Sequence, residues 1–153
     1  MRLKGQQMVE TLGIIQDWKT FVKAGNSIFT IENTATSNRF TYQVVRCKDE
    51  DEEIWFVSVL NGPNNETDYA YIGSIFGTEF RLTHKSRFGE EAVSVKAFRW
   101  LSAYLHSDQD LPEGVVVHHE GRCGRCGRRL TVPESIESGY GPECIHLVRG
   151  GVR

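Results

Sequence analysis

The sequence predicts an α+β fold: an antiparallel β-meander packed against an amphipathic helix, with an N-terminal helix and a small cysteine-bearing C-terminal subdomain. Three observations predict it. Apolar residues alternate with period two from Ser27 to Thr83, helical spacing returns at residues 93–105, and three of the four cysteines fall within residues 118–144. The expected domains are an N-terminal helix at 1–26, a sheet-plus-helix domain at 27–114, and the cysteine subdomain at 115–153.

Residues 7–23 have Met8, Leu12, Ile15 and Val22 at near-heptad spacing, with Trp18 beside them and Gly25 as the stop. They predict an amphipathic helix lying on the sheet. The strands follow as "SIFTIEN", "RFTYQVVRC", "EIWFVSVLN", "DYAYIGSIF" and "EFRLT", rich in β-branched and aromatic residues. "KDEDEE" reads as a solvated hairpin tip, "NGPNNETD" as the next turn and "GT" at 77–78 as the last. Short connections favour an antiparallel meander. In "VSVKAFRWLSAYL", Val93, Ala97, Trp100, Leu101, Tyr104 and Leu105 share a broad arc that is expected to cover the sheet, with Lys96 and Arg99 pointing away. "VVVHH" then reads as a short strand leading into the cysteines. Phe40 and Tyr42, like Tyr69 and Tyr71, share faces; core packing accounts for them better than base stacking, because little positive charge is interleaved.

With 153 residues, 39% of them hydrophobic, the chain can bury a core of its own. No apolar run approaches the roughly 18 residues of a membrane span. The polar start is unlike a signal peptide, so a reducing cytosol is expected, where clustered thiols bind metal more often than they pair. Net charge is -2, but unevenly spread: +3 over residues 1–46, -8 over 47–121 and +3 over 122–153, where all six basic residues are arginine.

In "RCGRCGRR", Cys123 and Cys126 form C-x-x-C with a glycine after each cysteine, a spacing at which two thiolates grip one ion from a tight turn. "TVPE" has the form of a capping box, Thr131 with Glu134, starting a short helix that stops at Gly139. Pro142 suits the first position of a second helix, which places Cys144 in its first turn, where the dipole favours a thiolate. Three soft ligands converge, and tetrahedral zinc takes a fourth. His119, four residues before Cys123, is the expected fourth ligand of a structural zinc, one per chain. His118 should point to the other side of the strand. His146, about 200° from Cys144 around a helix, is the fallback. A redox C-x-x-C would need a βαβ setting that the sequence lacks. Cys47 reads as an ordinary buried thiol. "HHE" imitates the H-x-E of zinc deaminases, but Glu120 lies too close to Cys123 for the two to begin separate helices, and Cys144 would be left without a role.

"WFVSVLNGPNNETDYAYIGSIF", "SVKAFRWL" and "HEGRCGRCGRRLTVPESIESGYGPEC" together resemble a family of small phage and prophage proteins of uncharacterised function, over residues 28–144. The resemblance implies Cys123, Cys126, Cys144 and His119 as zinc ligands, and action in a bacterial host's cytoplasm. It implies no activity.

No Ser/His/Asp set, phosphate-binding glycine loop or convergent carboxylate pair is present. A non-enzymatic binding protein is therefore expected, without a small-molecule substrate or a membrane. Two partners fit. Arg122, Arg125, Arg128 and Arg129 can meet a nucleic-acid backbone. Alternatively the acidic middle and the N-terminal helix bind a host or phage protein, as an anti-defence inhibitor or replication accessory would.

Overall fold

The computed structural model describes residues 13–149 except residue 50. Met8, Glu10 and Leu12 of the expected N-terminal helix lie outside these residues. The elements run α1 (Trp18–Val22), β1 (Asn26–Asn33), β2 (Asn38–Arg46), β3 (Ile54–Leu60), β4 (Tyr69–Phe76), β5 (Glu79–Arg81), α2 (Val93–Leu105), β6 (Val115–His119), α3 (Pro133–Ser138) and α4 (Pro142–Arg149). This is an α+β fold with one six-stranded antiparallel sheet, ordered β5-β4-β3-β2-β1-β6. Five strands form the meander read from the period-two pattern. The acidic run is a hairpin tip, turned by the Asp49 carbonyl accepting from Glu52 N–H at 3.0 Å.

Register decides what each strand buries. Phe29 pairs with Tyr42 and His119, and Ile31 with Phe40 and Val117, so alternate residues point to the face under α2. Tyr42 is fully buried there, its hydroxyl donating to the Ser94 carbonyl at 2.7 Å and its ring 5.0 Å from Phe98. Burial pushes its phenol pKa far above the usual value. Tyr42 is thus a core side chain and no stacking platform.

The bounds of α2 match the sequence reading, but its face does so only in part: Leu101 and Leu105 are buried as expected, and Val93 and Trp100 are not. Val95, Phe98, Leu101, Ser102 and Leu105 are buried, while Val93 is 67% exposed and Trp100 40%. The i, i+3, i+7, i+10 row of 95, 98, 102 and 105 is as helical as the expected arc. Phe98 wins because it fits between Tyr42 and Phe80, whose ring is 4.9 Å away. Arg99 does point outward, gripping Glu90 through two nitrogens at 3.2 and 2.8 Å.

The N-terminal helix is shorter than its pattern. Residues 13–15 are not helical: the Gly13 carbonyl accepts from His119 N–H at 2.9 Å, and Ile15 N–H donates to the Val117 carbonyl at 2.8 Å. β6 is an edge strand whose outer polar groups need partners, and these residues supply them. Asp17 then caps α1 through Thr20 N–H at 3.4 Å, and Trp18, Phe21 and Val22 enter the core. The Thr131–Glu134 capping box does not form either. Val132 is the cap residue, no side chain caps it, and Pro133 starts the helix because its missing N–H costs nothing there. The stop at Gly139, left-handed at φ 85°, is where the sequence places it.

The segment 115–149 packs into the sheet's core. Its first strand is the sixth of the sheet, and Cys123, Leu130, Tyr140 and Cys144 join Phe21, Val22 and Phe29 in one buried cluster. The contact is close: a Cβ on Gly124 would stand 2.5 Å from the Phe21 ring, and one on Gly139 3.0 Å from it. Gly124 donates to the Gly139 carbonyl and accepts from Asn26 N–H, both at 3.0 Å. Replacing Gly124 with alanine is therefore an overpacking change. It should cost about 1–3 kcal/mol in urea unfolding, and Phe21→Ala about 3–5 kcal/mol. A Gly124→Ala protein as stable as the parent would show that the cysteine loop does not rest on Phe21.

Candidate metal centre

The cysteine loop is a miniature hairpin hung from β6. Cys123 N–H donates to the Arg128 carbonyl at 2.8 Å, Gly127 N–H to the Cys123 carbonyl at 2.9 Å and Leu130 N–H to the Gly121 carbonyl at 2.7 Å. Arg122 and Arg129 pair across it as a β-bridge. The chain then runs through α3 and returns at α4, which brings Cys144 over the turn from its first helical turn. The ligand atoms of Cys123, Cys126 and Cys144 all lie within 4.8 Å of one another, with Cys123 and Cys144 buried and Cys126 exposed. Three sulfurs so placed can hold a metal ion.

The surroundings treat the sulfurs unequally. Burial alone would raise the Cys123 pKa, but N–H groups of Gly141, Cys126 and Arg125 outweigh it and bring the thiol below its ordinary value. The Arg125 N–H lies 3.4 Å from Cys123 Sγ. Cys144 is pushed up to about 11, first by burial and further by its two sulfur neighbours, against the Arg125 guanidinium 3.6 Å from its Sγ. Three adjacent anions of sulfur are unfavourable without a cation between them. A divalent ion held by the three sulfurs would resolve that conflict, and with three thiolates would leave one negative charge beside the Arg125 guanidinium.

His119, the expected fourth ligand, is not in this group of sulfurs. It is buried on the core side of β6, as the alternation requires, and both its ring nitrogens are engaged. Nδ1 accepts from Gly121 N–H at 2.9 Å, and Nε2 donates to the Ile136 carbonyl at 2.5 Å. Burial lowers its pKa, the Ile136 bond opposing. The imidazole thus ties β6 to the cysteine turn and to α3. His118 lies on the other face, 2.9 Å from Glu32, and His146 is exposed on α4. Cys47 is half-buried rather than buried. The Oε2 of Glu120 accepts from Thr30 Oγ1 at 2.5 Å.

Of the four arginines read as phosphate contacts, three have partners inside the molecule. Arg122 and Arg129 each bring Nη2 to 3.0 Å from the same oxygen of Glu66, and Arg125 lies on Cys144. Arg128 is exposed, with no side-chain bond among the described residues. Glu66, in the β3–β4 loop, had no mark in the sequence, since its role depends on a contact 56 residues away.

A family model matches residues 116–149: a family of unknown function, DUF6011. The match takes in β6, the cysteine turn and both terminal helices, the last part of the region in which a family resemblance is expected. No curated protein and no solved structure matches the chain. Among the described residues, no helix is long and apolar enough to cross a membrane.

Metal capture at this centre must displace protons, at least the one that burial holds on Cys144 near neutral pH. A metal-free thiol of raised pKa competes for the site as pH falls, so affinity should drop by about tenfold per pH unit for each proton released. Titrating metal-free protein with Zn2+ in two buffers of different ionisation enthalpy measures that number. Uptake without proton release would mean that Cys144 is not a ligand.

Proposed function

We propose that the protein is a non-enzymatic binding module whose C-terminal segment is closed by one structural zinc ion and presents a basic face to nucleic acid. The gathering of three sulfurs within 4.8 Å carries the zinc part. Soft thiolates from a C-x-x-C turn and a helix N-terminus are donors typical of structural zinc, in a treble-clef-like arrangement, and the fourth position of a tetrahedral ion would be filled from outside this group of sulfurs. When bound, the ion would supply cross-linking of the turn to α4, holding as thiolates groups that would otherwise titrate apart. Cys123, Cys126 and Cys144 are the ligands in this reading, and His119 is a positioning residue that aligns the turn. The bond between Glu120 and Thr30 supports a structural rather than a hydrolytic centre, since it occupies the carboxylate that a proton shuttle would use.

X-ray absorption of the zinc-loaded protein should then show three sulfurs and one light atom without imidazole scattering. His119→Ala should keep stoichiometric zinc while losing stability. Loss of the metal in that variant, with imidazole scattering in the parent, would return His119 to the ligand shell.

The nucleic-acid part rests on the exposed arginines of the turn. Arg128 and Arg129 are exposed beside the centre, and Arg122 is fixed by Gly127 at 3.1 Å. Guanidinium groups on a rigid turn suit phosphate oxygens. Titration with single-stranded DNA, duplex DNA and RNA at low salt tests this. Arg128→Ala should weaken binding to all sequences alike and flatten the log–log salt dependence by roughly one unit. No binding of any of the three at tens of micromolar protein would end the reading.

One observation favours a protein partner instead. Exposed Trp100, 4.7 Å from the Tyr104 ring, borders a groove of about 230 Å³ lined by Ile31, Phe40, Ala97 and Val115. Such an aromatic patch suits an apolar side chain. A host or phage protein, with action in a bacterial cytoplasm as an anti-defence or replication factor, belongs to that second reading.

A further inference from the structure

We propose that Arg122 and Arg129 form a phosphate-binding site, and that the Glu66 carboxylate closes it by standing where a backbone phosphate of nucleic acid would bind. The proposal rests on the nucleic-acid reading above and adds to it where the phosphate goes and what must move.

Two guanidinium groups share one carboxylate oxygen. Nη2 of Arg122 and Nη2 of Arg129 are each 3.0 Å from Glu66 Oε2. The main chains of both arginines are paired, and the Arg122 side chain is also held from behind. The Arg122–Arg129 bridge sets their spacing across the miniature hairpin, and the second terminal nitrogen of Arg122 donates to the Gly127 carbonyl at 3.1 Å. Two like charges on a fixed scaffold attract an anion, and an oxygen accepting from two guanidiniums is the geometry that phosphate offers best. Beside them is a small polar cavity of about 50 Å³, lined by Ile28, Asn65, Glu66, Glu120, Arg122 and Arg129. Glu120 also faces it, but its Oε2 is committed to Thr30, so Glu66 is the carboxylate that meets the arginines. A phosphodiester carries one negative charge, as Glu66 does. Exchanging them leaves the charge of the cluster unchanged.

Glu66 is built to leave. Its loop is shaped by its own bonds: Asn64 N–H to Asp68 Oδ2 at 2.9 Å, Glu66 N–H to Asn64 Oδ1 at 2.8 Å, and the Tyr69 hydroxyl to the Asn65 carbonyl at 2.9 Å. The backbone therefore stays in place when the side chain turns about its own χ bonds. The Glu66 side chain is 52% exposed and that of Arg129 65%, so their ion pair is a screened surface contact that an incoming anion can replace, while Arg122, 25% exposed, stays in place as the half-buried side of the site. The apparent affinity for phosphate is reduced by the fraction of molecules in which Glu66 occupies the arginines.

The test is fluorescence anisotropy of a labelled single-stranded oligonucleotide with the full-length, zinc-loaded parent, Glu66→Gln, Glu66→Gln/Arg129→Ala and Glu134→Gln. Zinc content and melting temperature serve as checks on the fold. Glu66→Gln should bind about 2- to 30-fold more tightly, the range expected on removing two ion pairs at the surface. The double variant should lose the gain. Glu134→Gln removes an exposed charge from α3 and should change affinity far less. Parent binding with no gain in Glu66→Gln overturns the proposal and leaves the nucleic-acid reading standing. An equal gain in Glu134→Gln, or a gain that survives Arg129→Ala, overturns it in favour of general electrostatics. Binding by neither the parent nor Glu66→Gln overturns both. In a competition arm, inorganic tripolyphosphate that displaces the oligonucleotide at equal phosphate concentration would assign the pair to free phosphate and overturn the nucleic-acid assignment.

Discussion

The Phe21 ring lies under two glycines, and the remainder of the C-terminal architecture follows from that contact. Gly124, in the cysteine turn, and Gly139, at the end of α3, both come so near the ring that a Cβ on either would be at or below the closest separation real side chains adopt. Both ends of the cysteine segment thereby rest on one side chain of the N-terminal helix. The rings of Tyr140 and His119 stand 5.6 and 6.2 Å from that of Phe21 and complete the seat. A turn of this size has too little apolar surface to fold alone. Seated on Phe21, it borrows the core of the sheet.

This seat also orders the sulfurs. Cys123 is buried because the turn is pressed onto the core, and backbone N–H groups converge on it for the same reason. Cys144 arrives from the far side of α3, at the start of a helix that could not be positioned if Gly139 carried a side chain. The raised pKa of one thiol and the lowered pKa of another express one constraint, that three potential anions share a partly dry site. Arg125 answers it in part, its guanidinium on Cys144 and its N–H on Cys123. Its side chain is thereby committed to the centre.

The outer surface of the turn is organised by a second, weaker contact. Glu66 reaches from the β3–β4 loop to Arg122 and Arg129, joining the middle of the sheet to the turn, with Glu66 and Arg129 exposed and Arg122 half-buried. Exposed pairs of this kind contribute about 0–1 kcal/mol each, far less than the packing around Phe21. The inner contact is therefore suited to permanence and the outer one to exchange.

The meander was legible in the sequence because alternation with period two and short turns leave little else for those residues to do. The bounds of α2 and β6 were legible for the same local reasons, and so was the convergence of Cys123, Cys126 and Cys144, since C-x-x-C geometry and a proline-started helix are short-range properties. The tertiary structure alone decided the rest. It chose Phe98 over Trp100 for the buried face of α2, because the space between Tyr42 and Phe80 fits one ring. It kept residues 13–15 out of α1, because the edge of β6 needed hydrogen-bond partners. It engaged His119 with Gly121 and Ile136, and turned two of the four arginines to Glu66. Each of these outcomes depends on which groups meet across long stretches of chain, and periodicity and spacing carry information only about neighbours.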